Sequence, residues 1–163
     1  MLEYRVTQGE VSEALSIMGE AAQWLIRKGS PMWLPDDLIR ERIQNPPEAF
    51  WVLRDGHIGV ATLLLSFEDR FFWPEIPPGS SGFIHKLAVR RAYAGRGMAE
   101  VLIAHCVEVC RARNVHALRL DCDAHRQKLC DLYEKCGFTL RETRSYRTKR
   151  LGDIEVALYE LLF

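Results

Sequence analysis

Two glycines two positions apart, Gly95 and Gly97, lie in a basic turn that follows an apolar run, within residues 81–99 (SGFIHKLAVRRAYAGRGMA). A glycine-rich turn lets backbone N–H groups point inward together, and where it opens a helix the positive end of the helix dipole adds to their pull on an anion. This is the chemistry of a phosphate site: Gly95 and Gly97 supply conformational freedom, and Arg90, Arg91 and Arg96 supply charge. His105, Cys106, His116, Cys122, His125 and Cys130 have the residue types of zinc ligands. Their spacing fits none of the usual zinc patterns, and free cysteine is commonly a small buried apolar residue, so no metal is expected. Arg141, Arg144, Arg147, Lys149 and Arg150 form a basic stretch that Glu142 and Asp153 interrupt, and it reads as a solvated hairpin.

The elements that must position these residues follow from periodicity. A strand over residues 2–6 precedes a helix whose apolar positions Val11, Ala14, Leu15, Met18, Ala21, Ala22 and Leu25 recur at helical spacing. Thr7 and Glu10 have capping-box spacing at its start, and Gly29-Ser30-Pro31 ends it. A shorter helix is expected over residues 36–43. Residues 49–54 and 58–67 read as a hairpin around Asp55-Gly56, and residues 83–89 as the next strand. The loop between them, residues 68–82, holds Phe71-Phe72-Trp73 among prolines, and long loops in compact domains are often functional. Met98, Val101, Leu102, His105 and Val109 stripe a long helix. A strand over 117–121 follows, then a helix marked by Leu129, Leu132, Tyr133 and Cys136 that stops at Gly137. Residues 138–148 and 153–163 make a terminal antiparallel pair. The reading is a single domain over 1–163, an α/β (α+β) fold with a mixed, mostly antiparallel central sheet flanked by helices.

Composition bounds the partners. The 163 residues carry 22 Lys+Arg and 22 Asp+Glu, so no global field favours nucleic acid or an anionic membrane. The apolar runs fall short of a membrane span, no secretory signal is evident, and five cysteines without a C-x-x-C pair suit reduced thiols. A soluble, cytoplasmic protein is expected, as a monomer or homodimer.

Taken together, Leu87-Ala88-Val89, the turn Ala94-Gly95-Arg96-Gly97-Met98-Ala99 and the later run Leu132-Tyr133-Glu134-Lys135-Cys136-Gly137-Phe138 resemble the GNAT family of N-acetyltransferases. That family joins a strand ending L-A-V to a [QR]-x-x-G-x-[GA] turn and carries a downstream L-Y-E-K-x-G-F helix end. The order of elements matches from near residue 1 to residue 163. The departures are Ala94 for Gln or Arg, Arg91 for a common Pro, Arg126 for a frequent Asn and Leu129 for a frequent Ala.

The resemblance implies acetyl-CoA as cofactor and a primary amine of a small molecule or peptide as acceptor, with direct transfer in a ternary complex. Leu87, Ala88 and Val89 then offer a splayed strand edge to the pantetheine arm, and Ala94, Gly95, Arg96, Gly97, Met98 and Ala99 hold the pyrophosphate. Arg126 and Tyr133 complete the cofactor contacts. Tyr133 is the general acid, because a phenol with pKa about 10 stays protonated to meet the departing thiolate. A lysine-like amine is only about one part in a thousand neutral at pH 7, so a base is required; His85 is the candidate, with Glu68 and Glu75 as rivals. Trp24, Met32, Trp33 and the Phe71-Phe72-Trp73 loop, near Asp36, Asp37, Glu68, Asp69 and Glu75, suggest an acceptor that joins an apolar body to a cationic amine. Two other functions compete. One is an acyl-CoA-binding regulatory module with weak turnover. The other is a dinucleotide-dependent oxidoreductase with Asp121 on the ribose, which Glu100 at the third glycine position opposes.

Overall fold

The structure is a computed structural model that describes residues 3–40 and 42–163. Its strands and helices run β1 (Tyr4–Gln8), α1 (Val11–Arg27), β2 (Phe50–Asp55), β3 (Ile58–Ser66), β4 (Gly82–Val89), α2 (Met98–Ala112), β5 (Ala117–Asp123), α3 (Gln127–Lys135), β6 (Thr139–Thr148) and β7 (Gly152–Leu162). The strands hydrogen-bond in the order β1-β2-β3-β4-β5-β7-β6. The β1-β2, β2-β3, β5-β7 and β6-β7 pairs are antiparallel, and β4-β5 is parallel. A mixed, mostly antiparallel sheet with helices is therefore the fold, and not the parallel, doubly wound sheet that the dinucleotide reading needs.

The chain forms two compact units, and both β4 and α2 contribute to each. The first comprises Met1–Leu65 and Lys86–His105. Its core joins Ala14, Ile17, Met18 and Ala22 of α1 to Phe50 and Val52 of β2, Leu64 of β3 and Ala88 of β4. α1 presents these four side chains on one face because they recur at helical spacing. Glu10 caps this helix without a side-chain hydrogen bond. Thr7 is still in β1, and its hydroxyl donates to the Glu10 carboxylate, so the expected reciprocal capping box does not form. The second unit comprises Ser66–His85 and Cys106–Phe163. Trp73, Phe83, Val156 and Leu158 pack together in it, with Phe72, Ile76, Tyr146 and Ile154 at their edge. β7 lies between β5 and β6, which makes it an internal strand.

Three other expectations change. The strand expected over residues 2–6 is found at Tyr4–Gln8, with residue 2 outside the described residues. The expected helix over 36–43 is a short 3-10 turn, Pro35–Leu38, ended by Ile39 at ψ 146°. Pro35 favours a helical first turn, but four residues are too few to sustain a helix without a longer apolar stripe. In α2 the buried face is Met98, Leu102, Ile103, Cys106 and Cys110, while Val101 is exposed. The cysteines supply the apolar positions there, which shifts the stripe by part of a turn.

Candidate functional site

The glycine turn is built as its composition requires. After β4, residues 91–93 make one 3-10 turn, Ala94 is extended, and α2 starts at Met98. Gly95 and Gly97 have φ of +73° and +80°, a region that costs a residue with a Cβ about 1–2 kcal/mol. At Gly95 an added Cβ would meet nothing within 4 Å, so the glycine is needed for backbone conformation and not for space. Val101 N–H bonds to the Gly97 carbonyl at 3.1 Å, the first bond of the helix. The amides before it belong to the turn that every helix leaves without intrahelical acceptors. Residues 95–99 thus place backbone amides at the head of the 15-residue α2, whereas the Ala94 N–H, expected to join them, is donated to the Arg91 carbonyl at 3.2 Å and closes the 3-10 turn.

The three arginines assigned to this turn have different roles. Arg90 is structural: its Nε donates to the Gly59 carbonyl at 2.7 Å, and its guanidinium pairs with Glu13 at 3.4 Å and Glu20 at 3.5 Å. It ties β4 to β3 and α1 and does not supply charge to the turn. Arg91 stacks on Trp24, 3.7 Å from the ring centre. Arg96 lies 5.3 Å from the centre of the Tyr93 ring and is exposed beside the glycines.

The strand edge is interrupted where sequence alternation had suggested continuity. Lys86 has φ +52°, so the period-two pleat that would put His85 and Leu87 on one face is broken at the residue between them. Parallel pairing of β4 with β5 covers Gly82–Ile84 against Leu118–Leu120, and β4 continues to Val89. Leu87 and Val89 are half-buried and Ala88 is buried.

In the second unit the titratable residues gather around His85. Its Nδ1 lies 3.9 Å from Asp121 Oδ1, and its Nε2 lies 4.0 Å from Asp69 Oδ2 and 3.2 Å from Ser66 Oγ. Asp69 is buried, with its Oδ1 accepting the Phe71 and Phe72 amides at 3.0 and 2.9 Å. The other two candidate bases each form an ion pair. Glu68 pairs with Arg70, and Glu75 accepts from Arg144 at 3.1 Å.

Tyr133 is buried on α3, with Phe138 and Tyr159 ring centres at 5.9 and 6.1 Å. Burial first, then the neighbouring Cys122 thiol and Asp121 carboxylate, push its phenol well above the usual tyrosine range, so it stays protonated. Asp121 thereby bears on both the imidazole and the phenol. Arg126, at the head of α3, lies with its Nε 3.6 Å from Asp123.

The six zinc candidates do not converge as a ligand set among the described residues. Cys122 and Cys130 come within 3.9 Å, Sγ to Sγ, while His105 packs 4.8 Å from the Trp51 ring. The trio that does converge is Asp69, His85 and Asp121, each with one donor atom within 4.8 Å of the others. The two carboxylates face different ring nitrogens, an arrangement that holds an imidazole in place better than it surrounds one ion. Ser66 had no role in the sequence reading, Asp69 entered only among the acidic residues near the acceptor, and Asp121 had only the ribose role. Their sequence signals were slight: Asp121 lies on the polar face of β5 between Arg119 and Asp123, and Asp69 sits where a side chain can cap a turn.

Comparison with known proteins adds three findings. A model described as the Acetyltransferase (GNAT) family matches residues 19–138. A mycothiol acetyltransferase of Beutenbergia cavernae is 31% identical over 109 residues, which is 66% of this chain but only 34% of that protein, so the chain spans about a third of that relative's length. Among solved structures, Ard1 from Thermoplasma volcanium superposes with TM-score 0.72 at 16% identity, covering 98% of this chain and 97% of that one. A Salmonella typhimurium acetyltransferase, yncA, described with its cofactor acetyl-CoA, gives TM-score 0.67 at 12% identity, covering 98% and 93%. At these identities the structural likeness is one of fold. No described helix is long and apolar enough to cross a membrane.

Proposed function

The chain belongs to the GNAT acetyltransferase family, and on that premise we propose that it moves the acetyl group of acetyl-CoA directly to a primary amine of a small molecule or peptide. The observation that carries this reading is the turn with Gly95 and Gly97 at positive φ opening α2. The amides of residues 95–99 at the head of a 15-residue helix form an anion cradle that does not depend on the Ala94 side chain or on its N–H, which the Arg91 carbonyl accepts. When bound, acetyl-CoA supplies an acetyl group already activated as a thioester. Residues 95–99 hold its pyrophosphate, with Arg96 as the local cation, and the Leu87–Val89 edge orients the arm that leads to the acetyl group.

The proton chemistry falls to residues of the second unit. Ser66 Oγ is 3.2 Å from both the Glu68 carbonyl and His85 Nε2. With its one proton given to the carbonyl, the hydroxyl accepts from Nε2–H, which leaves the imidazole lone pair on Nδ1. We assign His85 Nδ1 as the base that takes the amine proton. Asp121 steadies the resulting imidazolium. As the C–N bond forms and the C–S bond breaks, Tyr133 gives its proton to sulfur. A phenol held above its ordinary pKa keeps that proton at neutral pH, so it is in place when the C–S bond breaks, and the phenolate is reprotonated from solvent as His85 releases the amine proton.

The test is acetyl-CoA-dependent release of thiol with a library of primary amines, beside thermal melts with acetyl-CoA, NADH and ATP. Transfer to at least one amine, with stabilisation by acetyl-CoA alone, is the expected result. Stabilisation without turnover across the library would instead establish an acyl-CoA-binding module. No stabilisation by acetyl-CoA would sink the cofactor assignment.

A further inference from the structure

Within the first unit, Trp33, Asp37, Arg42, Gln44, Asn45 and Lys86 line a cavity of about 560 Å³, a size common among small-molecule sites, ~300–1,000 Å³. An aromatic ring, two cationic side chains and two carboxamides meet there with a single carboxylate. That carboxylate is engaged locally, since Asp37 Oδ2 accepts the Leu34 N–H at 3.0 Å. Among the described residues the lining carries two cations and one carboxylate, a formal charge of one positive, which matches one carboxylate on a ligand.

Lys86 stands out among these residues on two further grounds. It lies inside β4 at φ +52°, a conformation that disfavours any residue with a Cβ. Backbone outliers of this kind concentrate at ligand sites, where the fold retains them in spite of their cost. Its Nζ lies 5.5 Å from the centre of the Trp33 ring, so the outlier places a cation over the aromatic lining of the cavity. Lys86 also directly follows His85 in the chain, one peptide unit from the base assigned above.

We propose that this cavity takes the acceptor, and that the acceptor is an amino acid with an apolar side chain, its carboxylate held by Lys86 and Arg42 and its side chain lying against Trp33. The assignment rests on the acetyl-transfer reading and makes Lys86 its specificity residue. It keeps an acceptor that joins an apolar body to an amine and adds a carboxylate, because the described lining that includes Trp33 and Asp37 is cationic on balance.

The experiment compares L-leucine, L-methionine and L-phenylalanine with their primary amides as acceptors. In parallel, calorimetry measures binding of N-acetyl-L-phenylalanine and N-acetyl-L-phenylalaninamide. The acids should exceed the amides in kcat/KM by about 10- to 100-fold, the worth of one charge-assisted contact. Lys86→Met should remove that preference, slowing the acids by about 10- to 100-fold more than the amides. Lys86→Gly suits the same φ without strain, and should lose the preference while melting no lower than the parent. Equal use of acids and amides by the parent protein, or a preference that survives Lys86→Gly, overturns the proposal. If nothing is acetylated but calorimetry still favours the acid, the transfer reading fails and the carboxylate site stands. Equal or absent binding of the two probes removes the site.

Discussion

Replacing Tyr133 with Phe separates a catalytic phenol from a core ring. The side chain is 4% exposed and packs against Phe138 and Tyr159 at 5.9 and 6.1 Å between ring centres. Phe keeps both ring contacts, so the stability cost is limited to the hydroxyl, about 1 kcal/mol or less, or a fall in midpoint of no more than about 4 °C for a chain of this size. A positioned general acid contributes about 10²- to 10⁴-fold, equivalent to roughly 3–5 kcal/mol of barrier. Initial rates of thiol release at saturating acetyl-CoA and amine should fall by that factor. KM for acetyl-CoA should stay within about twofold, since the lost group acts on the leaving sulfur in the transition state. Because burial keeps the phenol protonated above its ordinary pKa, the parent kcat should show no loss from phenol ionisation up to about pH 10. A fall in kcat of less than about tenfold, or one accompanied by a midpoint drop much beyond 4 °C, would refute the assignment.

Gly97→Ala should lower the midpoint by roughly 2–8 °C, from about 1–2 kcal/mol of backbone strain at φ +80°, and weaken acetyl-CoA binding in calorimetry; an unchanged affinity would argue against the cradle. Arg90→Met should destabilise by about 1–3 kcal/mol, because Glu13, Glu20 and the Gly59 carbonyl lose their partner. Its KM for acetyl-CoA should not move, and a selective KM increase would restore Arg90 to the phosphate site. Alkaline pH should destabilise the fold: burial raises the thiols of Cys106 and Cys122, pushes Cys110 up to about 11, and raises the phenols of Tyr133 and Tyr159. Above the unfolded thiol pKa, about 8.5, the unfolded chain binds fewer protons than the folded one, so stability falls as pH rises and falls faster beyond about 10, where unfolded tyrosines ionise. Thermal melts from pH 7 to 10.5 check this, and a flat midpoint through pH 10 would contradict it.

Local chemistry made much of this protein legible in its sequence. Gly95, Gly97 and the helix they open could be placed because positive φ and a helix start are decided by neighbouring residues. The hairpin around Gly56, α1 and the terminal pair β6-β7 were readable from periodicities of two and 3.6, and Tyr133 from a motif within one helix. The misjudged features depend on partners distant in sequence. Thr7 and Glu10 have the spacing of a capping box, yet pairing of β1 with β2 keeps Thr7 in a strand and turns its hydroxyl to the Glu10 side chain. Arg90 looks like a phosphate ligand until Glu13 and Glu20, seventy or more residues earlier by number, are seen to hold it. The stripe of α2 was misphased because a cysteine counts as polar or apolar only according to what surrounds it.

The candidate site divides in the same way. Sequence alone determined the positive-φ glycine turn that opens α2 and the family pattern, since both are encoded within short contiguous runs. Only the tertiary structure shows that Glu68 pairs with Arg70, that Glu75 pairs with Arg144 and that Asp69 and Asp121 stand about the His85 imidazole, the arrangement on which the proposed base rests. It also revealed Lys86 at φ +52° over Trp33. Electrostatic environment and cavity shape depend on distances through space between residues far apart in the chain, and only the folded backbone fixes those distances.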